Sequence, residues 1–335
     1  MIKILSKLLV SLSFIFLYTS ILSATEEPAS FGGLSVPLIT PFQIENPSHV
    51  DLKKFEELLE HYSHTPVDSL YIISGVGERE RISLDNKKQM IDLAIKFQKY
   101  EKKILAGVTS PESTEETLLL AQYADKAGCD GIAVITPGFT REKQDLEDGV
   151  KKIKDQKLLL EYFSGVAESV HCSLVLCDQW LEVEVATFNT LQERFPNIVA
   201  IKISESEGIE HTKKMIQGSQ GDAIVLAGFE TQVYKAFKVG AKGAVVSGAN
   251  LYPELLADLV SSCQKGYWRH ASLLQFKVSY SWDRLSELGP WTNAIKHLIH
   301  KTRGITLPEM ESNPLISEKN EAIERYFKEL DQLYK

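Results

Sequence analysis

Lys202 stands inside the apolar run IVAIKIS, residues 198–204. Lysine is among the residues least often buried, because its ammonium loses hydration there. A buried lysine is therefore paired, neutralised or functional. If 198–203 is a strand, its side chains alternate between two faces. Val199, Ile201 and Ile203 then share one face, and Ala200, Lys202 and Ser204 share the other. The bulky branched set suits a helix-covered surface, and the small and polar set suits an enclosed interior. Desolvation lowers a lysine pKa and raises the fraction of neutral amine. A neutral amine attacks a ketone or aldehyde to form a Schiff base, whose iminium is an electron sink. The bland alternative is a lysine paired with an interior carboxylate.

The elements that must position this lysine are legible. Short apolar runs occur at 34–40, 69–74, 103–108, 131–136, 173–178, 198–203, 223–228 and 243–248. Amphipathic stretches with i, i+3, i+4 apolar spacing lie between them, as in DLKKFEELLEHYSH (51–64) and TEETLLLAQYADKAG (114–128). Eight βα units in succession predict an α/β fold of the (β/α)8 TIM-barrel type. TPFQIENP after the first strand lacks the Gly-rich loop of a dinucleotide-binding open sheet. The tail from about 251 is helical and longer than eight units need. The expected organisation is a signal peptide at 1–24, a barrel at 31–265 and a C-terminal helical extension at 266–335. The leader has Lys3 and Lys7, an apolar run at 8–22 and small residues at Ser23 and Ala24. It implies export to a periplasm or out of the cell, with no membrane span in the mature chain. The charged segment 141–157 reads as a solvated insertion.

Composition narrows the classes further. A net charge of −8 argues against a nucleic-acid partner. Cys129, Cys172, Cys177 and Cys263 form no C-x-x-C pair and no disulfide framework. His61 with His64, and His297 with His300, could each face a metal at i, i+3, but no third ligand converges on either pair. No metal and no cofactor is expected. Gly228 and Gly248 end the last two strands, where many barrels bind phosphate, yet neither begins a Gly-rich loop. Trp180 after strand five could line a pocket mouth.

In order and spacing, several motifs resemble the dihydrodipicolinate synthase / N-acetylneuraminate lyase family of class I pyruvate-dependent aldolases. They are GLSVPLITPF, SGVGERERIS, ITPGF, VAIKIS, LAGFE, GAVVSGAN and GPWTNAIKHLIHKTRGI, and they span about 31–333. The resemblance implies that Lys202 is the Schiff-base lysine for pyruvate or another 2-oxo acid. It implies that Ser74, Gly75, Val76, Gly77 and Glu78 lie at the substrate carboxylate, and that Val245 lines the site. It also implies a homo-oligomer, dimer or tetramer. The departures are specific. Gly75 and Val76 replace the loop hydroxyls. Cys177 stands where the family has a proton-shuttling tyrosine, followed by Asp178. Gly138 and Phe139 replace paired tyrosines. The shortened segment after Asp178 leaves no counterpart for the arginine that grips the substrate carboxylate. Beyond Glu78, the alternating Arg79, Glu80 and Arg81 read as a solvated loop edge. The expected function is a Schiff-base-forming lyase or synthase for carbon–carbon or carbon–oxygen bonds, with Cys177, Asp178 or Ser74 in new roles. The alternative is a catalytically impaired relative that binds a 2-oxo acid or a protein partner.

Overall fold

The computed structural model describes residues 30–43, 45–110, 113–137, 156–179, 181–219, 224–288 and 290–303, together with 305, 307, 325, 326, 328 and 329. The leader at 1–24, Gly138, Phe139, Trp180 and all but the last two residues of 141–157 lie outside the described residues.

Eight parallel strands close into a barrel in sequence order. They are β1 (Gly33–Pro37), β2 (Ser69–Ile72), β3 (Lys103–Gly107), β4 (Gly131–Ile135), β5 (Ser173–Asp178), β6 (Ile198–Ile203), β7 (Ile224–Ala227) and β8 (Gly243–Val245). Seven of the intervening connections carry helices: α1 (Leu52–Ser63), α2 (Leu84–Ala94), α3 (Thr114–Ala127), α4 (Gln156–Glu168), α5 (Val185–Arg194), α6 (Glu210–Gly218) and α7 (Val233–Val239). The eighth unit ends with α8 (Pro253–Gln264), and α9 (Trp268–Glu287) and α10 (Trp291–Arg303) follow as the extension. The sequence pattern of the tail does not set the long α9 apart as a helix of its own. Side chains of Asp51, Ser83 and Ser113 accept the N–H of Lys54, Asn86 and Glu116, so α1, α2 and α3 start where an unpaired helical N–H can be capped.

Two apolar layers result. The larger fills the space between strands and helices and includes Ile201 and Ile203 of β6. The smaller lies inside the barrel and includes Tyr71, Ile135, Val175, Cys177, Ala200 and Val245. Strand parity therefore holds for Ala200 and its neighbours, with one correction. Leu174 pairs with Ile198 but Val175 pairs with Ala200, so β6 carries a bulge at Val199. The extra residue turns Val199 against the interior cluster instead of the helix layer. Ile198 takes the helix-facing place.

The extension is tied to the barrel by charge as well as by apolar contact. Lys296 of α10 is 1 % exposed and donates to the Glu78 carboxylate. Arg81 Nη1 reaches the other Glu78 oxygen at 2.5 Å. Removing Lys296 deletes one charge-assisted bond while Glu78 keeps Arg81, a loss of about 2 kcal/mol. Lys296→Ala is expected to lower the urea unfolding midpoint by a corresponding amount, whereas a shift within error would show that the pair does not hold the extension.

Candidate active site

The carboxyl ends of the strands surround a cavity of about 560 Å³. Lys202 projects into it from β6, one strand away from Cys177 of β5, its register partner. Burial pushes the Lys202 pKa down, and this outweighs the fields of Cys177, Glu230 and Asp178, which pull it up. Its Nζ lies 2.9 Å from Ser204 Oγ, a hydroxyl on the same strand face. The stem needs the glycine beside it. A Cβ on Gly228 would lie 2.6 Å from the Ile203 carbonyl oxygen and 3.0 Å from Lys202 Cε.

The loop after β2 brings an arginine to the cavity. Arg79 was expected on a solvated edge, but it is 3 % exposed and lines the cavity. Its Nη2 pairs with Glu80 at 2.8 Å, while Nε and Nη1 have no hydrogen-bond partner among the described residues. Buried donors left unsatisfied are costly and mark a place for an acceptor. A substrate carboxylate is one such acceptor, and a guanidinium matches it in charge and geometry. The glycine at 75 has a physical reason here. A Cβ at that position would sit 3.2 Å from Arg79 Nη1, so a hydroxyl residue would crowd the guanidinium. Ile73, at the root of this loop, has φ 56°, a left-handed value that a β-branched residue adopts only under strain.

The remaining loop residues divide. Ser74, Gly75 and Val76 line the cavity; Gly77 and Glu78 do not. The Ser74 hydroxyl is engaged by backbone, donating to Leu38 O at 3.1 Å and accepting from Gly77 N at 3.1 Å. Glu78 is taken by Lys296 and Arg81. Val245 lines the cavity from β8.

Three acid–base groups face this space. Cys177 is buried, and burial raises its pKa, so the thiol stays protonated near neutrality. The Tyr71 hydroxyl faces the same space, and its own pKa is raised by burial and by the nearby sulphur. Tyr71 is thus a phenol on β2, facing across the barrel from the β5 position where the sequence lacks one. Glu230, after β7, is buried, and burial raises its pKa to about 7. The Gly248 N–H donates to Glu230 Oε1 at 2.8 Å, so the carboxylate occupies the backbone donors after β8 that a phosphate would use. Sequence reasoning passed over Tyr71 and Glu230 and read Arg79 as solvated. The parity of SLYI on β2 was the available signal for Tyr71, and the motif LAGFE was the signal for Glu230.

Asp178 turns away from the cavity, as its parity requires. Its Oδ2 accepts from Val183 N at 3.0 Å and meets His211 Nε2 at 2.6 Å, which pins the chain after β5 to α6. Gly248 lies outside the cavity wall, which Gly228 joins. Among the described residues no three His, Cys, Asp or Glu side chains come together as a metal site, and His64 pairs instead with Glu60. All four cysteines are free. No helix among the described residues is long and apolar enough to cross a membrane.

Comparison with known proteins agrees with the fold. The family model described as the dihydrodipicolinate synthetase family matches residues 30–333. The 4-hydroxy-tetrahydrodipicolinate synthase of Persephonella marina is 27 % identical over 246 residues, covering 72 % of this chain and 78 % of that protein. The crystal structure of YagE, an Escherichia coli K12 prophage protein of the dihydrodipicolinic acid synthase family in complex with pyruvate, superposes with a TM-score of 0.75. It has 23 % identity and covers 91 % of this chain and 99 % of that one. The wild-type sialic acid aldolase of Ruminococcus gnavus gives a TM-score of 0.78 at 18 % identity, covering 91 % of this chain and 98 % of that one. With a closed eight-stranded barrel and a family match from residue 30 to residue 333, the chain belongs to the dihydrodipicolinate synthetase family, whose members are class I aldolase-type lyases.

Proposed function

We propose that Lys202 forms a Schiff base with the carbonyl carbon of pyruvate or a related 2-oxo acid, and that the chain makes or breaks a carbon–carbon (or carbon–oxygen) bond next to that carbon. The observation that carries this is one cavity holding both a desolvated lysine and a buried arginine with two unpartnered donors.

The chemistry follows from the side chains present. Neutral Lys202 Nζ attacks the keto carbon, and water leaves to give an iminium. Arg79 holds the acid's carboxylate and orients the carbonyl toward the amine. The iminium acidifies the neighbouring carbon, and the Glu230 carboxylate takes a proton from it to give the enamine. The enamine attacks an electrophilic carbon, or in the reverse direction forms by loss of one. Water then hydrolyses the iminium and frees the lysine. Tyr71, near Cys177, is a donor at the opposite wall of the cavity.

Incubation with pyruvate and borohydride is expected to place a reduced adduct on Lys202, located by peptide mass spectrometry and missing in Lys202→Arg. An absent adduct with pyruvate and longer 2-oxo acids would leave the binding protein without turnover as the remaining reading.

The role of Glu230 has a pH signature. Its carboxylate form grows as pH rises through about 7. Exchange of the pyruvate methyl protons into deuterated water is therefore expected to climb across that pH and then level off. Glu230→Gln should lower the plateau about 10²-fold and remove the step, as loss of a general base does. A step that persists in this variant assigns the proton to another group.

A further inference from the structure

One nucleophile on the cavity wall takes no part in the chemistry above. Of the four cysteines, Cys177 alone lines the cavity. It is the register partner of Lys202 on the neighbouring strand, and adjacent strands lie about 4.8 Å apart. Both side chains are on the barrel interior, Cys177 in its apolar cluster and Lys202 on the cavity wall. The thiol is loosely held, its contact being the Val175 carbonyl oxygen of its own strand at 4.0 Å. Burial keeps it protonated, so it needs a base before it can attack. The amine of Lys202, which burial holds toward its neutral form, is such a base beside it. Arg79 reaches the same cavity from the other side. It is 3 % exposed, and its Nε and Nη1 have no partner among the described residues, so two donors are free to hold an oxygen that departs from the sulphur. Trp282 of α9 and Trp291 of α10 line the cavity as well, and Trp291 is 44 % exposed, so the space opens onto solvent and admits a small oxidant.

We propose that Cys177 is a site of modification by peroxide, and that Lys202 captures the oxidised sulphur in a reversible sulphur–nitrogen bond that shuts the cavity to 2-oxo acids. The shutting rests on the Schiff-base function above; the bond itself does not. In the first step Lys202 Nζ takes the thiol proton, the sulphur attacks one peroxide oxygen and the O–O bond breaks. The departing hydroxide takes the proton from Nζ, which leaves water, a sulphenic acid and a neutral amine. In the second step Nζ attacks the sulphur, the S–O bond breaks, and the hydroxyl leaves with an amine proton as a second water. Sulphur is oxidised by two electrons and the peroxide is reduced to water. An added thiol reverses the linkage. It attacks the sulphur and frees the amine, and a second thiol then frees Cys177 and leaves as the disulphide.

The test treats the full protein with hydrogen peroxide and reads it in two ways. Peptide mass spectrometry is expected to find the Cys177 and Lys202 peptides joined, with two hydrogens lost, and separated again by dithiothreitol. Borohydride trapping of pyruvate on Lys202 should fall about tenfold or more after peroxide and return to within about twofold after dithiothreitol. Pyruvate bound before the peroxide occupies Nζ and should prevent the linkage. In Cys177→Ser, trapping with and without peroxide should agree within about twofold, whatever its starting level, and Cys177→Ala gives the same ratio if the serine variant does not fold. A Cys177 that stays reduced, or that oxidises without joining Lys202, would overturn the proposal. So would an equal loss of trapping in the variants. The linkage is read by mass without pyruvate, so a reduced protein that traps no pyruvate would bring down the Schiff-base function while the joined peptides still decide this proposal.

Discussion

The desolvation of one ammonium group organises this molecule. Lys202 sits on the interior face of β6, where burial penalises its charged form. Among the described residues no carboxylate pairs closely with it. Its Nζ bonds to the Ser204 hydroxyl, and the acidic groups around it act at a distance. Glu230 is buried too and shares its charge with backbone N–H groups at the end of β8. Arg79 adds a second cation to the cavity, with two of its donors idle. A guanidinium with idle donors beside a lysine held toward its neutral, nucleophilic form makes an anionic, electrophilic ligand favourable there. A 2-oxo acid is both anionic and electrophilic.

The departures from the family pattern fit together once the loop after β2 is seen in place. Gly75 replaces a hydroxyl residue, and the space that this leaves holds the Arg79 guanidinium. Cys177 stands where the family resemblance leads one to expect a tyrosine, and the Tyr71 hydroxyl of β2 lies near its sulphur. Phenol and guanidinium both reach the cavity from the β2 side of the barrel. The strained Ile73 and the Lys296–Glu78 pair mark how firmly that loop is held. The C-terminal helices are therefore part of the site: α10 anchors the loop that carries Arg79, and both α9 and α10 wall the mouth.

Much of this was legible in the sequence, and the limits have physical causes. All eight strands follow from short apolar runs, because parallel strands buried on both faces read as continuous hydrophobic stretches. Lys202 was found by parity, and parity failed only at Val199, where a bulge adds a residue that no sequence rule announces. Arg79 was misread because alternating charges usually mean a solvated edge. Its burial is set by a turn at Ile73 and by α10 arriving from more than two hundred residues away. Tyr71 and Glu230 were overlooked because their importance comes from proximity to Lys202 and Cys177 across the barrel, which only closure of the sheet creates. Trp282 and Trp291 lay in a tail whose packing the periodicity did not specify.

The central claim is that Lys202 and Arg79 form one site for one small acid. A crystal structure of the protein soaked with pyruvate tests it most directly. The account expects continuous density from Lys202 Nζ to the keto carbon, with the carboxylate within hydrogen-bond distance of the Arg79 guanidinium. An unmodified Lys202 still resting on Ser204, or an adduct whose carboxylate points away from Arg79, would contradict it.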